Sequence, residues 1–273
     1  VNNSNLVLAR TAARNKRAGA HWQNALRDGL RSAGLDVERL VLTGSEDEGD
    51  LMVRTHRWDH SARVDRIVIE AKAGVLHAAD FVDQTLEEAS HFARHRGLVR
   101  SQVMGIAVIK RRRRSWNDAY VLTSVGEYFR IADEDARFNP SGRSWTRVLC
   151  NGLRFAGRDA ELIVRQPYVT EGDLVVRDRG RTTVIKSKTG DLRVAELIDQ
   201  MHVEVAAWCR NRDTDPRTVD GITIVKRRGR PWSDAYVFTT VEDFFGLNEY
   251  EDTFADVDPE NAEPAAAAEA RVA

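Results

Sequence analysis

Two periodicities of apolar residues alternate along the chain. Trp22, Ala25, Leu26, Leu30 and Ala33 recur at helical spacing and Gly34 supplies a stop, so a helix is expected there. Leu40 to Leu42 and Leu51 to Val53 are short apolar runs that predict strands. Ile67 to Glu70, reading Ile-Val-Ile-Glu ahead of Gly74, predicts a β-branched strand, and Phe81 to His95 an amphipathic helix. Ile106 to Ile109 and Ala119 to Leu122 read as a strand pair joined by a basic turn. Helix, three strands, helix, two strands predicts a mixed α/β sheet flanked by helices.

The pattern then repeats. Gly105-Ile-Ala-Val-Ile-Lys-Arg-Arg-Arg-Arg-Ser-Trp-Asn-Asp-Ala-Tyr-Val recurs as Gly221-Ile-Thr-Ile-Val-Lys-Arg-Arg-Gly-Arg-Pro-Trp-Ser-Asp-Ala-Tyr-Val, an offset of 116. At that offset Asp83-Gln84 returns as Asp199-Gln200, Glu88 as Glu204, Arg94 as Arg210 and Arg96 as Arg212. Upstream the offset is 123: Trp22 matches Trp145, Gly29-Leu30-Arg31 matches Gly152-Leu153-Arg154, and Glu48-Gly49-Asp50-Leu51 matches Glu171-Gly172-Asp173-Leu174. The difference is an insertion near His56 to Ala62. Units of roughly 105 to 110 residues are domain-sized, so the chain reads as a duplicated domain and not a solenoid. The copies are expected at 19–131 and 142–246, with Asp133 to Ser141 as a linker. Residues 249–273, acidic and poor in apolar side chains, are expected to form a disordered tail.

Composition narrows the class. With 42 % hydrophobic residues and six prolines among 273 residues, a globular chain with one large core or two ordinary ones is expected. Cys150 and Cys209 are too few for a disulfide framework and lack metal-type spacing, which points to a reducing, cytoplasmic compartment. No run approaches the roughly 20 apolar residues of a membrane span, and no signal-peptide core is seen at the start. The net charge of −1 conceals an uneven distribution: residues 1–248 carry 40 Lys and Arg against 34 acids, or +6, while the tail is acidic. A basic body of this kind suits a nucleic-acid partner.

Asp50 starts one short strand, and Glu70 and Lys72 bracket Ala71 at the end of the next. Residues two apart on a strand share a face, so Glu70 and Lys72 can both project towards a carboxylate on the neighbouring strand. Paired carboxylates with water and a phosphate oxygen match the octahedral oxygen ligation of Mg²⁺, or of Mn²⁺ in its place. A lysine beside the ion can orient or deprotonate water and offset charge on a phosphorane. Glu-x-Lys or Gly-Asp alone is commonplace; their order on expected strands behind a matching helix is what points to phosphodiester hydrolysis.

These residues resemble the PD-(D/E)xK nuclease superfamily, and within it the archaeal-type Holliday junction resolvases and their phage-encoded relatives. The resemblance covers nearly the whole of each repeat. It rests on Lys16-Arg17-Ala18-Gly19 opening a helix, Glu38-Arg39 after it, Gly44 through Gly49-Asp50, and Ile69-Glu70-Ala71-Lys72. It implies two tandem restriction-endonuclease-like domains arranged as an intramolecular pseudo-dimer, in a bacterial cytoplasm if the source is a phage. It also implies that Asp50 and Glu70 are metal ligands, that Lys72 is the catalytic lysine, and that Gln84 is a polar residue near the site. Gln23 stands where the family usually carries a helix glutamate; either metal affinity or activity is reduced, or Glu48 substitutes.

In the second copy Asp173 and Lys188 persist but Lys186 takes the position of Glu70, which predicts a degenerate site in which Lys186 pairs with Asp173. One live site per chain implies a strand-specific nickase, or two chains that must meet to cut a junction symmetrically. Lys110, Arg111, Arg112, Arg113 and Arg114, with Lys226, Arg227, Arg228 and Arg230, form two basic turns expected to bind a DNA backbone. Trp116 and Trp232 after them are expected in the core. His91, His95 and His202 are expected at the surface, whereas His56 and His60, flanking Trp58, are candidates for substrate contact. The competing functions are a decayed, non-catalytic DNA-binding module and a nuclease of a phage defence or counter-defence system.

Overall fold

The computed structural model describes residues 3–40, 46–54, 64–164, 170–178 and 180–247, with 3–15 as backbone only. The acidic tail, Gly44, and His56, Trp58 and His60 lie outside the described residues. The first half runs α1 (Asn3–Ser32), β1 (Asp36–Arg39), β2 (Leu51–Arg54), β3 (Arg66–Lys72), α2 (Ala78–His95), β4 (Val103–Ile109), β5 (Tyr120–Ser124) and a short α3 (Val125–Tyr128). After α4 (Asp133–Ala136) the order recurs as α5 (Trp145–Phe155), β6 (Asp159–Leu162), β7 (Leu174–Asp178), β8 (Arg181–Lys188), α6 (Val194–Arg212), β9 (Val219–Val225), β10 (Tyr236–Thr240) and α7 (Val241–Phe245).

All ten strands join one mixed sheet in the order β1-β2-β3-β4-β5-β10-β9-β8-β7-β6. Alternation along the strands sends Ile106 and Val108 to one face, under Leu26 and Leu30 of α1 and Leu149 and Leu153 of α5. Ala107 and Ile109 face the other way, under Val82 of α2 and, across the middle, Ile198 of α6. Every residue of β4 and β9 is buried, as expected of strands covered on both faces. Each large apolar side chain removed from water there contributes about 1.5–3 kcal/mol.

The centre of the sheet is a self-paired seam. β5 and β10 run antiparallel with Leu122 opposite Phe238, and Tyr120 opposite Thr240 mirrors Ser124 opposite Tyr236. Leu122 and Phe238 are themselves equivalent at the offset of 116, so every pairing across the seam has its mirror. The flanking bonds obey the same rule: Val125 N–H donates to Ala235 O and Val241 N–H to Ala119 O, each at 2.9 Å.

Several boundaries differ from the sequence expectation. α1 starts at Asn3, so Lys16 to Gly19 lies within a helix instead of opening one. The first described strand is Asp36–Arg39, and the Leu40 N–H carries its pairing one step further, to Asp50 O at 2.9 Å; Val41 and Leu42 of the expected strand lie outside the described residues. The expected linker is a packed segment: it contains α4, and Phe138 stacks on Phe155 and accepts the indole N–H of Trp232 at 3.1 Å. Trp232 is buried and Trp116, half-buried, lies against Gly29 as Trp232 lies against Gly152. No helix among the described residues is long and apolar enough to cross a membrane.

Candidate active site

The site is assembled where the C-terminal end of β3 meets α1, α2 and the turn before β2. Gly49 sits at φ +92°, and a Cβ there would stand 2.8 Å from Val68 Cγ1, so glycine is required to bring the chain over β3. Asp50 is thereby pinned: its N–H donates to Ile69 O at 3.0 Å, and its Oδ2 accepts the Ala71 N–H at 2.9 Å. Its Oδ1 accepts Gln23 Nε2 at 2.5 Å, so α1 contributes a side chain to the cluster. Burial raises the Asp50 pKa against those bonds, and its carboxyl lies within hydrogen-bonding reach of Glu70.

Glu70 and Lys72 share a face of β3, as their spacing predicts. Lys72 Nζ donates to Glu70 Oε1 at 2.6 Å and to Gln84 Oε1 at 2.7 Å. Gln84 Nε2 returns to Glu70 Oε1 at 3.2 Å and to Glu88 Oε1 at 2.6 Å. Asp50, Glu70, Lys72 and Gln84 are thus brought together.

Glu88 is the residue that sequence reasoning missed. It is 2 % exposed, its Oε2 has no hydrogen-bond partner among the described residues, and it lies one helical turn beyond Gln84. Burial, and then the nearby Glu70 charge, push its pKa up to about 8; burial, and then Asp50, push Glu70 up to about 7. The available signal was its recurrence as Glu204, which gave no hint of its neighbours.

Glu48 is held by the end of α2. It is buried under the ion pairs it makes with His95, 2.5 Å from Nδ1, and with Arg96. His95 also meets Glu46 at 2.9 Å, so the histidine expected at the surface ties the loop before Asp50 to α2. His91 Nδ1 lies 3.0 Å from the Asp47 carbonyl, and His202 pairs with Asp243 at 2.8 Å.

The second half repeats the scaffold with altered charges. Gly172 has φ +97°, Asp173 N–H donates to Ile185 O at 2.9 Å, and Asp173 Oδ2 accepts the Ser187 N–H at 2.9 Å. Lys186, however, is turned to Glu204, Nζ to Oε1 2.5 Å, and not to Asp173 as expected. Glu204 is the counterpart of Glu88, deep under α6, and a buried ammonium is drawn to the buried carboxylate at the end of its reach. Gln200 also donates to Glu204, at 3.1 Å, while Lys188 is half-buried at the end of β8.

The basic turns leave the sheet beside these groups. Lys110 N–H donates to Lys72 O at 2.8 Å and Lys226 N–H to Lys188 O at 2.9 Å, while each ammonium lies 5.7 Å over Trp22 or Trp145. Lys110, Arg112, Arg113 and Arg114 are exposed, as are Lys226, Arg228 and Arg230. Arg111 and Arg227 are not so placed: they pair across the seam with Asp199 and Asp83 and lie over Tyr120 and Tyr236. Both side chains are engaged in a contact between the halves.

No three His, Cys, Asp or Glu side chains among the described residues stand as a ready-made metal site, since Asp50 is turned onto a backbone N–H and Glu70 onto Lys72. A cavity of about 630 Å³ lies elsewhere, lined by Arg100, Glu127 and Arg130 among others, and shares no residue with the acid cluster. No family model, curated protein or solved structure matches the chain.

Proposed function

We propose that the first half of this chain is a Mg²⁺-dependent deoxyribonuclease that hydrolyses phosphodiesters, similar to PD-(D/E)xK Holliday junction resolvases, with one active site per chain. The observation that carries this reading is the charge balance of the two equivalent sites. In the first half Asp50, Glu70 and Glu88 face one ammonium, Lys72, so among the described residues two negative charges are left over when all are ionised. In the second half the equivalent positions carry two acids, Asp173 and Glu204, and two lysines, Lys186 and Lys188, with Lys186 paired to Glu204. Buried like charges favour either protons or a cation, and hard carboxylate oxygens suit Mg²⁺ or Mn²⁺.

The donors fit such an ion by charge and chemistry. Asp50 and Glu70 would hold it, with Glu88 behind Glu70 adding field. A bound divalent cation supplies Lewis-acid stabilisation of the phosphate and acidifies water. Lys72, freed from Glu70 by the competing cation, would orient the attacking water and offset charge on the phosphorane, while Gln84 holds its ammonium in place. The exposed arginines would bind the DNA backbone with little sequence readout.

The self-paired seam supports an intramolecular pseudo-dimer of two restriction-endonuclease-like units, 19–131 and 142–246, the second degenerate. A single live site makes one nick per encounter. A structure-selective nickase follows, or a resolvase that needs two chains. The test is incubation of the purified chain with branched, nicked and linear DNA in Mg²⁺: cutting lost in Glu70→Ala and kept in Lys186→Ala supports the reading. Gln23 in place of an acid favours one rival, a decayed DNA-binding module, and binding without any cutting would establish it.

A further inference from the structure

On the reading just proposed the second half has no chemistry of its own, yet one of its side chains grips the helix that carries the first half's site. Arg227 Nη1 donates to Asp83 Oδ1 at 2.8 Å and Nη2 to Asp83 Oδ2 at 2.6 Å, a bidentate pair. The mirror pair is slacker: Arg111 reaches Asp199 through one nitrogen at 3.4 Å. Two contacts that the repeat makes equivalent are therefore unequal, and the tight one acts on the half with the acid cluster.

Asp83 immediately precedes Gln84 on α2. Successive helical residues point about 100° apart, so Asp83 meets the second half while Gln84 reaches Lys72, Glu70 and Glu88. The N-cap residue of α2, His77, makes no side-chain capping bond. A bidentate Arg–carboxylate pair fixes orientation as well as distance, which a lysine could not do. Arg227 is itself only 9 % exposed, so its guanidinium is spent on Asp83 rather than offered to a phosphate.

We propose that Arg227 is a positioning residue supplied by the second half to the first half's site: by clamping Asp83 it sets the rotation of α2 and so places Gln84 between Lys72, Glu70 and Glu88. A degenerate copy is then needed because it holds the live one in register. The activity arm of the test rests on the nuclease reading; the exchange arm does not.

The experiment uses the full chain with Arg227→Gln, Asp83→Asn, the exchanged pair Arg227→Asp with Asp83→Arg, and Asp199→Asn as the mirror control. Cleavage of branched DNA in Mg²⁺ is measured for kcat and KM, and amide hydrogen exchange across 78–88 is followed without DNA or metal. The two single variants are expected to lower kcat about tenfold, as small misplacements of positioned groups do, with KM unchanged and exchange faster. The exchanged pair is expected to recover both, and Asp199→Asn to change neither. A raised KM with unchanged kcat would make Arg227 a DNA contact and overturn the proposal. Equal effects from Asp199→Asn would overturn it too, by reducing the clamp to general seam stability. If the unaltered chain cuts nothing, the nuclease reading fails by itself, and faster exchange in Arg227→Gln but not Asp199→Asn still supports the clamp.

Discussion

The two halves of this chain share a backbone plan and differ in where their charges go. Gly49 and Gly172, Asp50 and Asp173, and the buried Glu48 and Glu171 occupy matching places with matching bonds, and Trp116 and Trp232 cover equivalent glycines. Among the strand positions at which the halves differ, one reverses a charge: Glu70 in the first, Lys186 in the second. That exchange turns a cluster of repelling carboxylates into a neutral buried pair with Glu204. The scaffold that seats these groups is kept while the charges on it change, so backbone plan and charge pattern are separable in this molecule.

The largest effect expected on that contrast comes from removing Glu70. Glu70→Ala is expected to lower Mg²⁺-dependent cleavage roughly a thousandfold, the upper end for loss of one preorganised electrostatic group. The equivalent change in the second half, Lys186→Ala, is expected to leave cleavage intact but destabilise the fold by about 3–5 kcal/mol, because Glu204 is left buried without its partner. Urea unfolding measures that loss. Lys186→Met combined with Glu204→Leu removes both charges and is expected to restore the stability; continued instability would mean that the pair does more than neutralise itself.

Acidity separates the halves next. Glu70 and Glu88 have pKa values of about 7 and about 8 when folded, against 4.5 for an ordinary glutamate, so the folded protein holds extra protons between those limits. Their contribution to stability is full below pH 4.5 and is lost as pH rises through 7 and 8. Without metal, the unfolding free energy is therefore expected to fall from pH 5 to pH 8, and Glu70→Gln to flatten the slope. Mg²⁺ binding near pH 7.5 is expected to release protons, seen as a buffer-dependent heat by calorimetry. A heat that is the same in every buffer would count against a cation among these carboxylates.

How much of this was legible follows from the range of each interaction. The repeat, the strand carrying Glu70 and Lys72, and α2 are local patterns, and Ile-Val-Ile-Glu-Ala-Lys could be read directly. The start of α1 was not read, since the helical spacing taken as its signal begins at Trp22, far inside the helix. Glu88 was visible only as a repeated glutamate, because its burial depends on the loop at Gly49, some forty residues earlier. The partner of Lys186 was misassigned for the same reason: strand spacing says which face a side chain takes but not which helix residue stands above it. Asp83 and Arg227 are 144 residues apart, and no local pattern joins them.

Smaller effects distinguish the basic turns. Arg112→Ala and Arg114→Ala, at exposed positions, are each expected to reduce the salt dependence of DNA binding by about one in the log–log slope. Salt titration of binding in Ca²⁺, which limits cleavage, measures this. Equal slopes in the variants and the unaltered chain would mean that the turn is not a phosphate contact.

The smallest effect lies at position 113 and separates function from fold at a single residue. Arg113 adopts φ 60°, and its counterpart Gly229 adopts φ 72°. A left-handed conformation costs a residue with a Cβ about 1–2 kcal/mol, whereas glycine adopts it freely but loses about 0.5–1 kcal/mol more through chain entropy. Arg113→Gly is therefore expected to stabilise the chain only slightly, by about 0.5 kcal/mol, and Gly229→Arg to destabilise it to a similar extent. Thermal unfolding checks both. The arginine at 113 carries a backbone strain that the glycine at 229 avoids, and on the proposed reading its charge is kept for DNA on the side with the carboxylate cluster. If Arg113→Gly left DNA affinity and its salt slope unchanged, that strain would serve nothing at the interface, and the two turns would differ by drift rather than by use.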